Sequence, residues 1–221
     1  MPAAIAHYWA QADAISHLVA ILLVLMSLLG WATILFKAWS FWRIRQAAKQ
    51  LQKFWQYPSF ADAIDMLRLY DQERVFLPLA ERSLALTQDA PSALQSHSSR
   101  IEKINHVLRH ALNDVTVKLE SGLSVLASIG ATAPFVGLLG TVWGIYHAMS
   151  TVATGGGVQI DQIIGPVGEA LIMTALGLVV AIPAVLAYNA LNRVNRITFA
   201  ELDTFAYDLR VFFSHDEHEL R

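Results

Sequence analysis

The sequence has no cysteine, so disulfides, thiol nucleophiles and thiolate metal sites are all excluded. Charge is scarce too. Asp, Glu, Lys and Arg make up 15% of the 221 residues while 55% are hydrophobic, too few charges for an ordinary water-soluble domain. The net charge of −2 leaves no phosphate-neutralising basic surface, and nucleic acid is not an expected partner. The patterns GxxxxGK[ST], GxSxG and HExxH are also missing, and the histidines are scattered without ligand spacing of that kind. ATP hydrolysis and acyl transfer therefore have no carrier, no metal site or cofactor is expected, and an enzyme reading finds no supporting residues. No stretch alternates apolar and polar residues as a half-buried strand does. The first residues carry no Lys or Arg ahead of a long apolar run, unlike a secretory signal.

What the chain does have is three stretches long enough to cross a bilayer, for which about 20 apolar residues suffice. Residues 14–36 (TM1) contain no Asp, Glu, Lys or Arg, residues 121–152 (TM2) contain none either, and residues 161–192 form the third span, TM3. The expected fold class is an all-α integral membrane protein of three transmembrane helices, with TM2 and TM3 extended into a cytoplasmic helical bundle. Residues 1–13 then form a periplasmic N-terminus, 37–120 a cytoplasmic helical loop, 153–160 a periplasmic loop, and 193–221 a cytoplasmic C-terminal helix and tail. Orientation follows from the bases Lys37, Arg43, Arg45, Lys49 and Lys53 after TM1 and from Arg193 and Arg196 after TM3, since such residues stay on the cytoplasmic side. Trp31, Trp39, Phe41 and Trp42 fit an aromatic belt at that interface.

Within the loop, helices are predicted over 38–56, closed by Tyr57-Pro58, over 60–70 and over 77–87. Ile101, Ile104, Leu108, Ala111, Leu112, Val115 and Leu119 recur at helical spacing and predict a helix running straight into TM2. After TM3, Leu202, Phe205, Leu209 and Phe212 form the seam of an amphipathic helix.

Glu169 is the only Asp, Glu, Lys or Arg between Gln162 and Asn192. Ionisable groups inside membrane spans are costly and commonly mark ion or proton paths. Desolvation disfavours the charged carboxylate, so the group can exchange a proton rather than stay ionised. The competing reading is a structural acid bonded to a neighbouring helix. Thr141 and Thr174 are the hydroxyls expected to face water or this acid. Thr174 lies about 140° around an ideal helix from Glu169, so the two cannot point at one spot within one subunit, and several subunits around a lumen would reconcile them. Gly137, Gly140 and Gly144 form rows of small residues that let helix backbones approach closely. Pro134 and Pro183 lie inside spans, where bends are the default expectation and hinges a hypothesis. His147, near the outer end of TM2, reads as an interfacial histidine.

Two blocks carry a resemblance: ASIGATAPFVGLLGTVWGIYHAM (127–149) and GPVGEALIMTALGLVVAIPAVLAYN (165–189). Both are similar to the MotA/TolQ/ExbB proton-channel family, and within it to the ExbB branch. The resemblance implies an inner-membrane motor subunit with protons as the coupling ion, forming a homo-oligomer, a pentamer, around the transmembrane helices of ExbD. ExbD supplies the acidic proton carrier, and TonB receives the energy for uptake of iron-siderophores and vitamin B12 across the outer membrane. It also implies that the family's TM3 acid falls on Glu169, its TM3 threonine on Thr174 and its TM2 threonine on Thr141. Ile172-Met173 departs from relatives that have smaller residues before this threonine. The alternatives are a TolQ subunit of the Tol-Pal system, which shares these pore residues, and a non-conducting scaffold. A MotA-type stator fits less well, having four spans.

Overall fold

In a computed structural model, the chain is described over residues 13–88, 100–154 and 161–215, with a few side chains inside these ranges, Glu169 among them, outside the description. Six helices account for almost all of it: α1 (Ala14–Phe54), α2 (Phe60–Tyr70), α3 (Leu77–Gln88), α4 (Arg100–Glu120), α5 (Leu123–Thr154) and α6 (Asp161–His215). No strand occurs among the described residues. Three helices are long and apolar enough to cross a membrane. The chain divides into a membrane unit, Met1–Leu35 with Gly122–Ala190, and a second unit, Phe36–Ser121 with Leu191–Arg221.

One element is more continuous than the sequence pattern predicts: TM1 and the helix expected over 38–56 are one 41-residue helix, α1. As expected of a TM3 that extends beyond its span, α6 runs 55 residues, through Pro183, without interruption. At about 1.5 Å per residue these are about 60 and 80 Å long, far beyond the roughly 30 Å of a hydrocarbon core, so both must project from it. Nothing between Phe36 and Trp42 breaks a helix, whereas Tyr57-Pro58 does. The opposite correction applies to α4, which does not run straight into TM2. It stops at Glu120, and Gly122 sits at φ 79°, a left-handed conformation that glycine adopts without the clash a Cβ would bring.

That break is held by side chains whose role no periodicity reveals. Lys37, 6% exposed, donates from Nζ to the carbonyls of Lys118 (3.2 Å) and Leu119 (3.1 Å) and to Ser121 Oγ (3.3 Å). Asn195 Nδ2 donates to the same Leu119 carbonyl at 3.2 Å. A cation on the carbonyls that a helix C-terminus leaves without main-chain partners is favourable both as a hydrogen-bond donor and against the helix dipole. Lys37 therefore belongs to the packed interior and not to the exposed basic band. Phe41 likewise turns inward at 7% exposure, while Trp31, Trp39 and Trp42 remain more than half exposed.

The second unit closes around aromatic rings. Phe54, Phe60, Phe76 and Phe205 lie within edge-to-face distance of one another's neighbours, with Phe54 at 5.2 Å from Phe205 and 5.4 Å from Phe60. Leu202, Phe205 and Leu209 are buried as their spacing predicts, but the seam ends on Phe213 at 3% exposure and not on Phe212 at 43%. Phe212 instead stacks on Phe60 at 5.4 Å.

Between α2 and α3 stands Asp71, 1% exposed. Its N–H closes α2 onto the Leu67 carbonyl at 2.7 Å. Its carboxylate accepts from the N–H groups of Val75 (3.0 Å), Phe76 (2.7 Å) and Leu77 (2.7 Å), which open α3. One residue thus ends one helix with its backbone and caps the next with its side chain. Asp71→Ala leaves these buried donors unpaired and is expected to cost on the order of 3 kcal/mol, seen as a lowered unfolding midpoint and faster proteolysis near residue 71. Burial pushes the Asp71 carboxyl above its ordinary value, against the opposing pull of the three N–H donors and Lys118. The proton is then held more tightly in the folded chain. Its contribution to stability is full below 3.8, the ordinary value, and is lost as pH rises through the higher folded pKa. Comparing unfolding of the protein and of Asp71→Asn across this range checks the sign.

Candidate functional site

In the membrane unit α5 and α6 meet backbone to backbone, because glycines leave no side chain between them. A Cβ on Gly137 would stand 2.6 Å from the Met173 carbonyl oxygen and 3.1 Å from Gly177 Cα, and one on Gly177 would stand 2.7 Å from the Ala133 carbonyl oxygen. Further along, a Cβ on Gly144 would meet Ala170 Cβ at 2.8 Å, and one on Gly140 would meet Met173 Cβ and Val19 Cγ1 of α1, each at 3.0 Å. Gly130 lies against Val185. Going up α5 goes down α6, as an antiparallel pair must. Close approach of this kind supplies dispersion contact where lipid offers no hydrophobic drive between helices.

The close approach sets the hydroxyls. Thr141 is 5% exposed and donates from Oγ1 to the Leu138 carbonyl at 2.7 Å. Thr174 Oγ1, on the facing turn of α6, donates to Thr141 Oγ1 at 3.4 Å. The structure therefore brings Thr141 and Thr174 together across α5 and α6 of a single subunit. Glu169 lies on α6, one residue before Ala170, and its side chain is outside the described residues. Hydroxyls so placed can pass a hydrogen bond along but cannot carry charge at neutral pH. Any titrating group of a path has to come from elsewhere.

Pro134 sits inside α5 and Pro183 inside α6, with helix on both sides of each. His147 Nδ1 lies 3.1 Å from Asp13 Oδ2, tying the residue before α1 to the C-terminal part of α5. Outward, the unit presents Leu18, Phe135, Val179 and Leu186, each more than 60% exposed. Surfaces this apolar need lipid or further protein to cover them. Among the described residues no group of three or more His, Cys, Asp or Glu side chains gathers where it could hold a metal ion.

The sequence pattern missed Gly177 and Ala170, although small residues at 170, 177, 181 and 184 do recur at helical spacing on TM3. That recurrence is the signal by which the row can be found in the sequence.

Residues 79–204 match the MotA/TolQ/ExbB proton channel family, more than half of the chain. The chain belongs to the MotA/TolQ/ExbB proton channel family. Among its relatives, the biopolymer transport protein ExbB of Xanthomonas campestris pv. campestris (strain B100) is 41% identical over 211 residues, covering 91% of this chain and 82% of the relative. A protein of the same name from Neisseria meningitidis serogroup A is 37% identical over 199 residues, covering 86% and 88%. The Tol-Pal system protein TolQ of Pseudomonas aeruginosa is 31% identical over 222 residues, covering 94% and 91%. Within the MotA/TolQ/ExbB family the chain is thus more similar to these ExbB proteins than to TolQ. The α5–α6 glycine contacts and the hydroxyl pair all fall inside the matched residues.

Proposed function

We propose that this ExbB-type proton-channel subunit works in the inner membrane as part of a ring of identical copies. The ring surrounds single-span ExbD-like helices and passes the energy of proton flow to a TonB-like transducer for uptake across the outer membrane. One observation carries the reading: identity of 37–41% to proteins named biopolymer transport protein ExbB over most of both chains. The apolar outer faces of the membrane unit are consistent with neighbouring copies and lipid. The N-terminus lies outside and the C-terminus inside on this reading, as the clusters of Lys and Arg require.

Protonation and release at an acid supplied by the partner, with Glu169 in the path and Thr141 and Thr174 beside it, would shift the inner helices relative to the ring. A proton moving down 100 mV releases about 2.3 kcal/mol, so a large conformational step needs several. Pro134 and Pro183 each remove a backbone donor from the middle of α5 and α6 and are where a bend costs least in those spans. The reading is tested by co-expressing the chain with candidate single-span partners and measuring the native mass of the purified complex. A pentamer that retains an ExbD-like protein is expected. Recovery of a TolR-like protein in its place overturns the assignment in favour of the Tol-Pal system.

A further inference from the structure

Helix α4 carries His106 and His110 four residues apart, and both side chains are exposed. Their rings lie side by side, with centroids 4.5 Å apart and planes at 57°. Two imidazoles that ligate one ion through nitrogens about 2.0–2.1 Å from it hold their centroids about 4.5 Å apart in a right-angled arrangement and about 5.2 Å in a tetrahedral one. The ring centroids therefore already stand at chelating separation. This corrects the expectation that no histidines stand at ligand spacing: the separation is that of the two histidines in HExxH, but the run here is His106-Val107-Leu108-Arg109-His110. Val107 occupies the place of the general base, so this pair can hold an ion but lacks the carboxylate that would activate water on it.

The surroundings select the class of ion. Glu102 and Asp114 lie one helical turn to either side, and Asp114 is engaged by Arg82 Nη2 at 2.8 Å, while Glu102 also has an interaction of its own. Lys103 and Arg109 add positive charge nearby. The local field does not favour a cation, so attraction has to come from coordination to imidazole nitrogen. That favours Zn2+, Ni2+ and Cu2+ over Ca2+ and Mg2+, which need oxygen ligands.

We propose that His106 and His110 form a two-histidine chelate on α4 for one divalent transition-metal ion, with water completing the coordination shell. The site is independent of the proton-channel reading, since it lies on a different unit from the Thr141–Thr174 pair.

The test is calorimetric titration of the full-length, untagged protein in detergent with ZnCl2, in the presence of excess MgCl2. About one equivalent of Zn2+ per chain is expected to bind in a strong phase, and its affinity is expected to fall about tenfold or more in His106→Ala and in His110→Ala. A protein with His215→Ala and His218→Ala keeps the strong phase, which separates the site from the tail histidines. Because an ion clamps one turn of α4, Zn2+ is expected to raise the unfolding temperature of the protein but not of the α4 variants. His106→Gln, close in size and polar, repeats the test if an alanine variant is poorly folded. Equal Zn2+ affinity in the protein and in His106→Gln, or loss of the strong phase only in the tail variant, overturns the proposal.

Discussion

Proton flux into proteoliposomes containing the chain and the proposed single-span partner is expected to fall to the level of protein-free vesicles when Glu169 is replaced by Gln, with the complex still assembled. Glutamine keeps the size and hydrogen-bonding capacity of the carboxylic acid but cannot ionise. If Glu169 only tied α6 to another helix, Gln would preserve that bond and flux would persist. Loss of flux with an unchanged native mass separates a conducting role from a structural one. Near-normal flux would instead leave the partner's acid as the sole titrating group, with Glu169 a packing residue. The cost of keeping an ionisable group at this depth, several kcal/mol on insertion scales, argues that it is retained for its proton.

Gly177→Ala is expected to destabilise the membrane unit by about 2–3 kcal/mol, at the upper end of what overpacking a well-packed core costs. The new methyl would stand 2.7 Å from the Ala133 carbonyl oxygen and 3.1 Å from Gly137 Cα. Both are backbone atoms, so relief requires α5 and α6 to separate, and separation lengthens every contact from Gly144 to Gly130. It also pulls Thr174 away from Thr141, whose 3.4 Å hydrogen bond has little reach to spare. Gly130→Ala is milder, because the atom it meets is the end of the Val185 side chain. Gly168→Ala is the control. Nothing lies within 4 Å of a Cβ there, so within one subunit only the gain in helix propensity, up to about 1 kcal/mol, remains. Thermal unfolding of all three in detergent should rank Gly177→Ala lowest and Gly168→Ala at or above the parent protein. An unfolding temperature for Gly177→Ala equal to that of Gly168→Ala would contradict the packing argument.

The interpretable parts of the sequence were those that act through composition or short period. Unbroken apolar runs specified three spans, because a backbone in lipid must satisfy its own hydrogen bonds and does so as helix. Tyr57-Pro58 ended α1, and the spacing of Leu202, Phe205 and Leu209 gave the buried side of α6. Thr141, Thr174 and the row Gly137, Gly140, Gly144 stood out for the same reason: polar or small residues on an apolar span are conspicuous. Other features depended on how the backbone folds locally or on residues distant in the chain. Asp71 looks like any loop carboxylate until the backbone folds three N–H groups onto it. Lys37 counts as one more base of the positive-inside cluster, yet it caps a helix 81 residues away.

The sequence by itself therefore determined the class of protein, the spans and the family, since composition, unbroken apolar runs and the order of residues within two blocks are all read along the chain without knowing which helices meet. Tertiary structure alone decided which glycines touch backbone, that Thr141 pairs with Thr174 in one subunit, and where α4 ends. Those outcomes depend on two or three helices meeting at one level, and helical periodicity gives the face of each helix but not its height or its neighbour.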